Sequence, residues 1–176
     1  RRVAMMGDVQ VRAEQDRDVR FTLDGQTAAI EDYLQIKPEN TGRVRALVEN
    51  GQLAIGPWQI LLDEFLCSGE TIIRNLEMGW KGAEALGGAM PVGYLPDMFG
   101  HISQMPQIFR LFGFAHAVVW RCVPNKVDRT AFMWSSPAGS TVSADYLGRG
   151  SGHCARPGKY AKELPMPQPQ YQDISP

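Results

Sequence analysis

Little in this 176-residue chain is out of balance: charge of one sign, paired cysteines and long apolar runs are all lacking. Lys and Arg number 18 against 19 Asp and Glu, a formal net charge of -1. That balance excludes a basic footprint for nucleic acid and a cationic face for a membrane surface, so a small or neutral molecule is the expected partner. Cys67, Cys122 and Cys154 are odd in number and have no C-x-x-C spacing, which points to buried or incidental thiols rather than a disulfide framework or a cysteine zinc site. No apolar run approaches the roughly 20 residues of a membrane-spanning helix, and no signal-peptide order opens the chain, so a cytoplasmic location is expected.

What is present is ordinary globular composition, 44% hydrophobic and 21% charged, enough for one domain with a core. The chain opens on Arg1-Arg2, and residues 165–176 are rich in Pro and Gln without apolar periodicity. Both ends are therefore expected to be cut or abnormal, with residues 148–176 an irregular tail. The glycine run Gly148-Arg149-Gly150-Ser151-Gly152 lacks the helix or Gly-Lys-Ser/Thr that a phosphate loop needs.

Between those ends, short apolar runs alternate with helical periodicity. Phe21-Thr22-Leu23 before Asp24-Gly25 predicts a strand and turn, and Thr27 to Ile36 carries apolar residues at helical spacing. Glu39 to Asn50 predicts a second helix closed by Gly51, feeding a strand at Leu53 to Trp58. Ser68 opens a long helix running to Gly87-Gly88, and Val92 to Leu95 is the next strand. His101 to Phe112 predicts a helix with Pro106 in its first turn, and Ala115 to Trp120 a buried strand. Ala131 to Ser136 and Thr141 to Leu147, joined across Pro137-Ala138-Gly139-Ser140, predict a hairpin. The fold class is therefore α/β, a mostly parallel sheet with helical crossovers.

In such a sheet the chemistry gathers in loops at the C-terminal ends of strands. Two carboxylate loops fall there: Asp97, between Pro96 and Gly100, and Asp63-Glu64. An aspartate so placed is suited to covalent attack or metal ligation, with Arg121 after the next strand as a fixed cation. The spacing also allows Asp97 to cap the following helix or to pair with Arg121 structurally. Trp58 has the ring to stack on a sugar, although a tryptophan ending an apolar strand equally suits a core.

The stretch from Gly93 through Asp97-Met98-Phe99-Gly100-His101 to Met105-Pro106 resembles the nucleophile segment of glycoside hydrolase family 38 α-mannosidases, their bacterial cytoplasmic branch most. Three further blocks agree in order: residues 21–26; Ile55-Gly56-Pro57-Trp58 through Asp63-Glu64-Phe65 to Arg74-Asn75-Leu76; and residues 117–121. The resemblance runs over residues 20–147. It implies an incomplete α/β barrel domain of the hydrolase/deacetylase type over residues 1–147 and a retaining, zinc-dependent hydrolysis of α-mannosides. It also implies that Asp97 is both nucleophile and zinc ligand, that Arg121 lines the sugar subsite, and that His101 orders the Asp97 loop. Asp63 and Glu64 match a family Asp-Glu pair, with Leu62 where proline is usual, and are expected at the site rim or in a structural role.

The family's His-x-His-x-Asp zinc motif is absent and would be expected upstream of Arg1, and nothing after Leu147 matches its acid/base carboxylate or further zinc histidine. The expectation is an internal piece of the catalytic domain, ended by a frameshift or truncation and inactive by itself. A polysaccharide deacetylase would need a His-x-x-x-His pair, which His101, His116 and His153 do not form. A degenerate sugar-binding domain is the remaining alternative.

Overall fold

The computed structural model describes residues 2–124, 127 and 129–147. The expected tail, with its glycine run, His153 and Cys154, lies outside the described residues. The chain divides into two compact units, one of residues 1–61 and 73–90, the other of residues 62–72 and 91 onward.

The first unit opens with a helix the periodicity did not announce, α1 (Arg2–Gln15). Its inward positions Met6, Gln10 and Ala13 follow helical spacing, but the middle one is polar, which hides the stripe. Gln10 Oε1 accepts from the Tyr33 hydroxyl at 2.8 Å, and that hydroxyl accepts from Asn40 Nδ2 at 2.7 Å. Buried polarity is thus satisfied rather than avoided. On the outside, Arg43 Nε donates to Glu14 Oε1 at 2.8 Å, and this contact draws the Glu14 carboxyl below its ordinary range.

Strand β1 (Phe21–Thr22) pairs in parallel with β2 (Leu53–Ala54), joined by α2 (Ala28–Ile36), a 3₁₀ turn (Pro38–Asn40) and α3 (Thr41–Glu49). Ile30, Val44, Leu47, Leu53 and Ile55 bury together with Ala83 and Leu86 of the same unit. The strand expected over Leu53 to Trp58 ends at Ala54. Gly56 turns to φ +68° and Pro57 has no N–H to donate, so the ladder stops and resumes only as a single bridge from Trp58 to Gln26.

Helix α4 (Gly69–Glu84) begins where Ser68 Oγ accepts the Thr71 N–H at 3.1 Å. Within the first unit, its Asn75 takes the N–H groups of Gln59 and Ile60 on Oδ1, each at 3.0 Å, and donates Nδ2 to the Ile60 carbonyl at 2.7 Å. One side chain therefore holds the backbone that follows Trp58.

The second unit contains β3 (Val92–Leu95), α5 (Met105–Leu111), β4 (His116–Val119), β5 (Ala131–Ser135) and β6 (Thr141–Tyr146). The sheet order is β3-β4-β6-β5. The first three strands are parallel, and β5 forms the antiparallel hairpin with β6. Helix α5 packs Phe109 onto Gly93, where an added Cβ would lie 2.3 Å from the ring. This helix starts at Met105, not at the expected His101. Gln104 and Pro106 form its first turn, and His101 and Ile102 are bonded elsewhere. The fold is thus mixed α/β, with parallel sheets and helices.

Candidate active site

Asp97 and Arg121 meet because of strand register. β3 and β4 run parallel with Leu95 opposite Val119, so each residue lies two positions beyond the last rung on the same edge. Their side chains form an ion pair, Arg121 Nε with Asp97 Oδ1. The Asp97 side chain remains 53% exposed, so its carboxylate can still be reached by a ligand. The Arg121 guanidinium lies 4.6 Å from the Trp120 ring and 5.8 Å from that of Phe99. Two aromatic contacts and one carboxylate thus limit its freedom.

Beneath this pair lies a buried one. Glu64 and His101 are 1% and 3% exposed, and Glu64 Oε1 is 2.7 Å from His101 Nδ1. Glu64 Oε2 accepts the Ile102 N–H at 2.8 Å, and His101 Nε2 is 3.1 Å from the Arg121 carbonyl oxygen. The imidazole meets the Trp134 ring edge-on, centroids 5.3 Å apart. Asp63 faces a different task, its Oδ1 accepting the Phe65 N–H at 3.2 Å to close the turn.

Cys122, next after Arg121, has φ +60°, a left-handed conformation that side chains avoid. Burial pushes its thiol up, the Arg121 charge opposes that, and the nearby Asp63 and Glu64 charges add to the rise. A thiol held in that direction is a poor nucleophile.

The structure therefore gathers Asp63, Glu64, Asp97, His101 and Arg121 in the second unit. Trp58 lies in the first unit and is fully buried, 0% exposed. Sequence reasoning did not foresee that Phe99 and Trp120 flank Arg121, nor that Glu64 is the partner of His101. The aromatic neighbours of Arg121 could have been flagged from the motif itself, while a contact across 37 positions leaves no local signal.

A zinc centre is not supported by the described residues alone. No three His, Cys, Asp or Glu side chains among them are grouped to hold a metal, whereas zinc enzymes commonly use three protein ligands.

Residues 4–155 match the family model for the glycosyl hydrolases family 38 N-terminal domain, a wider span than the motifs alone carried. The chain is 38% identical over 154 residues to a putative mannosylglycerate hydrolase of Halalkalibacterium halodurans, covering 80% of this chain and 17% of that protein. It is 32% identical over 111 residues to alpha-mannosidase G of Dictyostelium discoideum, covering 60% and 10% respectively. The solved structure of an alpha-mannosidase from Enterococcus faecalis superposes with a TM-score of 0.76 at 32% identity, covering 83% of this chain and 17% of that one. A 4-alpha-glucanotransferase from Thermococcus litoralis, 14% identical with a TM-score of 0.61, shares the fold alone. The chain thus spans about a sixth of the length of the first of these relatives. Motif order, strand-end chemistry and these matches agree that the chain belongs to glycoside hydrolase family 38, within its N-terminal domain.

Proposed function

We propose that this domain carries the nucleophile of a retaining α-mannoside hydrolase and that Asp97 is that nucleophile. The observation that carries the reading is the exposed Asp97 carboxylate, two residues past a parallel strand and ion-paired through Oδ1 with Arg121. Relatives bearing the names alpha-mannosidase and mannosylglycerate hydrolase support a mannoside as substrate.

With Oδ1 held by Arg121, Oδ2 is the oxygen that attacks the anomeric carbon. The new C–O ester bond forms as the glycosidic C–O bond breaks, and the departing oxygen takes a proton from a second carboxylic acid. Water then attacks the same carbon, gives its proton to that second carboxylate and releases Asp97. Glu64 does not suit the acid/base role, because it is buried and both its oxygens are engaged by His101 and Ile102. The acid is proposed to come from outside residues 1–147, and the 176-residue chain alone is proposed to be inactive.

Asp97 is also proposed as one ligand of a zinc ion, whose further ligands would come from outside the described residues. No step above depends on that ion. The parallel strands of the second unit are proposed as an arc of an α/β barrel.

The test is covalent labelling of the full-length protein with a fluorinated mannoside that slows breakdown of the glycosyl-enzyme. The label is expected on the peptide containing Asp97, and Asp97→Ala should remove nearly all turnover. A label on Asp63 or Glu64 with Asp97 unmodified overturns the assignment.

A further inference from the structure

We propose that Glu64 and His101 act together as positioning residues for the Asp97–Arg121 pair, an inference that rests on the function proposed above. The two side chains join three separate stretches of one unit: the turn at residues 63–66, the segment between β3 and α5, and the end of β4.

Each end of the pair holds a main-chain group next to the candidate chemistry. Glu64 uses both carboxylate oxygens on the segment that follows Asp97, one on the His101 ring and one on the Ile102 N–H. His101 reaches the other way, to the carbonyl of Arg121 itself. That carbonyl belongs to the peptide leading into Cys122, whose left-handed φ needs support from its surroundings. Fixing this peptide fixes the direction in which Arg121 leaves the backbone, and with it the reach of Nε to Asp97.

The donor and acceptor inventory sets the ring. A carbonyl only accepts, so the His101 Nε2 that faces Arg121 carries a proton. Between Nδ1 and Glu64 Oε1 a single proton completes the bond whichever atom holds it. Edge-on contact with Trp134 and near-complete burial hold the ring plane, and no bulk water competes for its nitrogens.

A fold-supporting pair and a positioning pair differ in which variant rescues. His101→Asn keeps a donor near the Nδ1 position, toward Glu64, but has nothing to reach the Arg121 carbonyl. His101→Gln places its amide near the Nε2 position and restores that reach. Full-length variants would be assayed on 4-nitrophenyl α-mannoside for kcat and KM separately, beside Asp97→Ala. His101→Asn and Glu64→Gln are expected to lower kcat about tenfold to a hundredfold, the usual effect of losing an orienting hydrogen bond, with KM within about threefold. His101→Gln is expected to recover much of the loss seen in His101→Asn.

Equal losses in both His101 variants, or turnover within about twofold of wild type in Glu64→Gln and His101→Asn while Asp97→Ala is dead, would refute the positioning role and leave the nucleophile assignment standing. An active Asp97→Ala would instead refute the nucleophile assignment. If the variants do not fold, nitrogen-15 NMR of the unsubstituted protein decides. A slowly exchanging Nε2–H on His101 is expected, and an Nε2 without a proton overturns the proposal.

Discussion

Arg121 touches three groups at once, the Asp97 carboxylate and the rings of Phe99 and Trp120. A planar guanidinium can donate along its edge and stack on its face simultaneously, whereas an ammonium is a point charge. Arg121→Lys in the full-length protein is therefore expected to lower kcat/KM by about tenfold or more, since the charge survives but its orientation does not. Steady-state kinetics check this, and an unchanged kcat/KM would mean that charge alone suffices. At this scale the sequence was most legible where candidate residues stand close together in one motif. Pro96, Asp97 and Gly100 stand together in one motif, and Arg121 closes another. Glu64 was legible only as part of an Asp-Glu pair, because its burial depends on a partner 37 positions away. At Trp58 a strand end leaves open which face is covered, and here the residue is fully enclosed.

Elements were easiest to read where apolar periodicity was unbroken. α4, β3 and the β5–β6 hairpin lie close to their expected bounds. α1 was not foreseen because Gln10 occupies an inward position, and the strand after Leu53 was overextended because Gly56 and Pro57 interrupt its ladder. α4 also contains a close approach that periodicity cannot show. At Gly79, an added Cβ would lie 2.0 Å from the Trp58 carbonyl carbon and 2.2 Å from the Gln59 nitrogen. Both contacts are to backbone, which cannot swing aside. Gly79→Ala gains about 1 kcal/mol of helix propensity, but overpacking of this kind costs about 1–3 kcal/mol or more, so the net effect should be destabilising. Gly69→Ala, with nothing within 4 Å, serves as the control and should leave stability equal or higher. Chemical denaturation of the two variants compares them, and a stabilised Gly79→Ala would contradict the packing described.

For the molecule as a whole, the decisive quantity is how little of its relatives' length it spans, 17% of the Halalkalibacterium halodurans protein. In the four-stranded sheet, β3 has a hydrogen-bonded neighbour on one side only among the described residues. The 176-residue chain alone is therefore expected to unfold broadly or to aggregate. A sharp, reversible calorimetric transition with matching calorimetric and van't Hoff enthalpies would show otherwise. Zinc affinity belongs to the same scale. With one proposed ligand in Asp97, the chain should bind zinc no better than its Asp97→Ala variant, and stoichiometric metal lost on that substitution would contradict this.

The shared two-residue overhang of Asp97 and Arg121 also bears on how relatives should be compared. The ladder between β3 and β4 sets both side chains from a common rung, so the crossover through α5 can lengthen or shorten without changing their separation in space. A single residue inserted between Leu95 and Asp97, or between Val119 and Arg121, would instead displace one member of the pair. Sequence separation between carboxylate and guanidinium is thus a poor guide across a divergent family. Distance from the last paired strand residue is the measure on which distant members should be aligned.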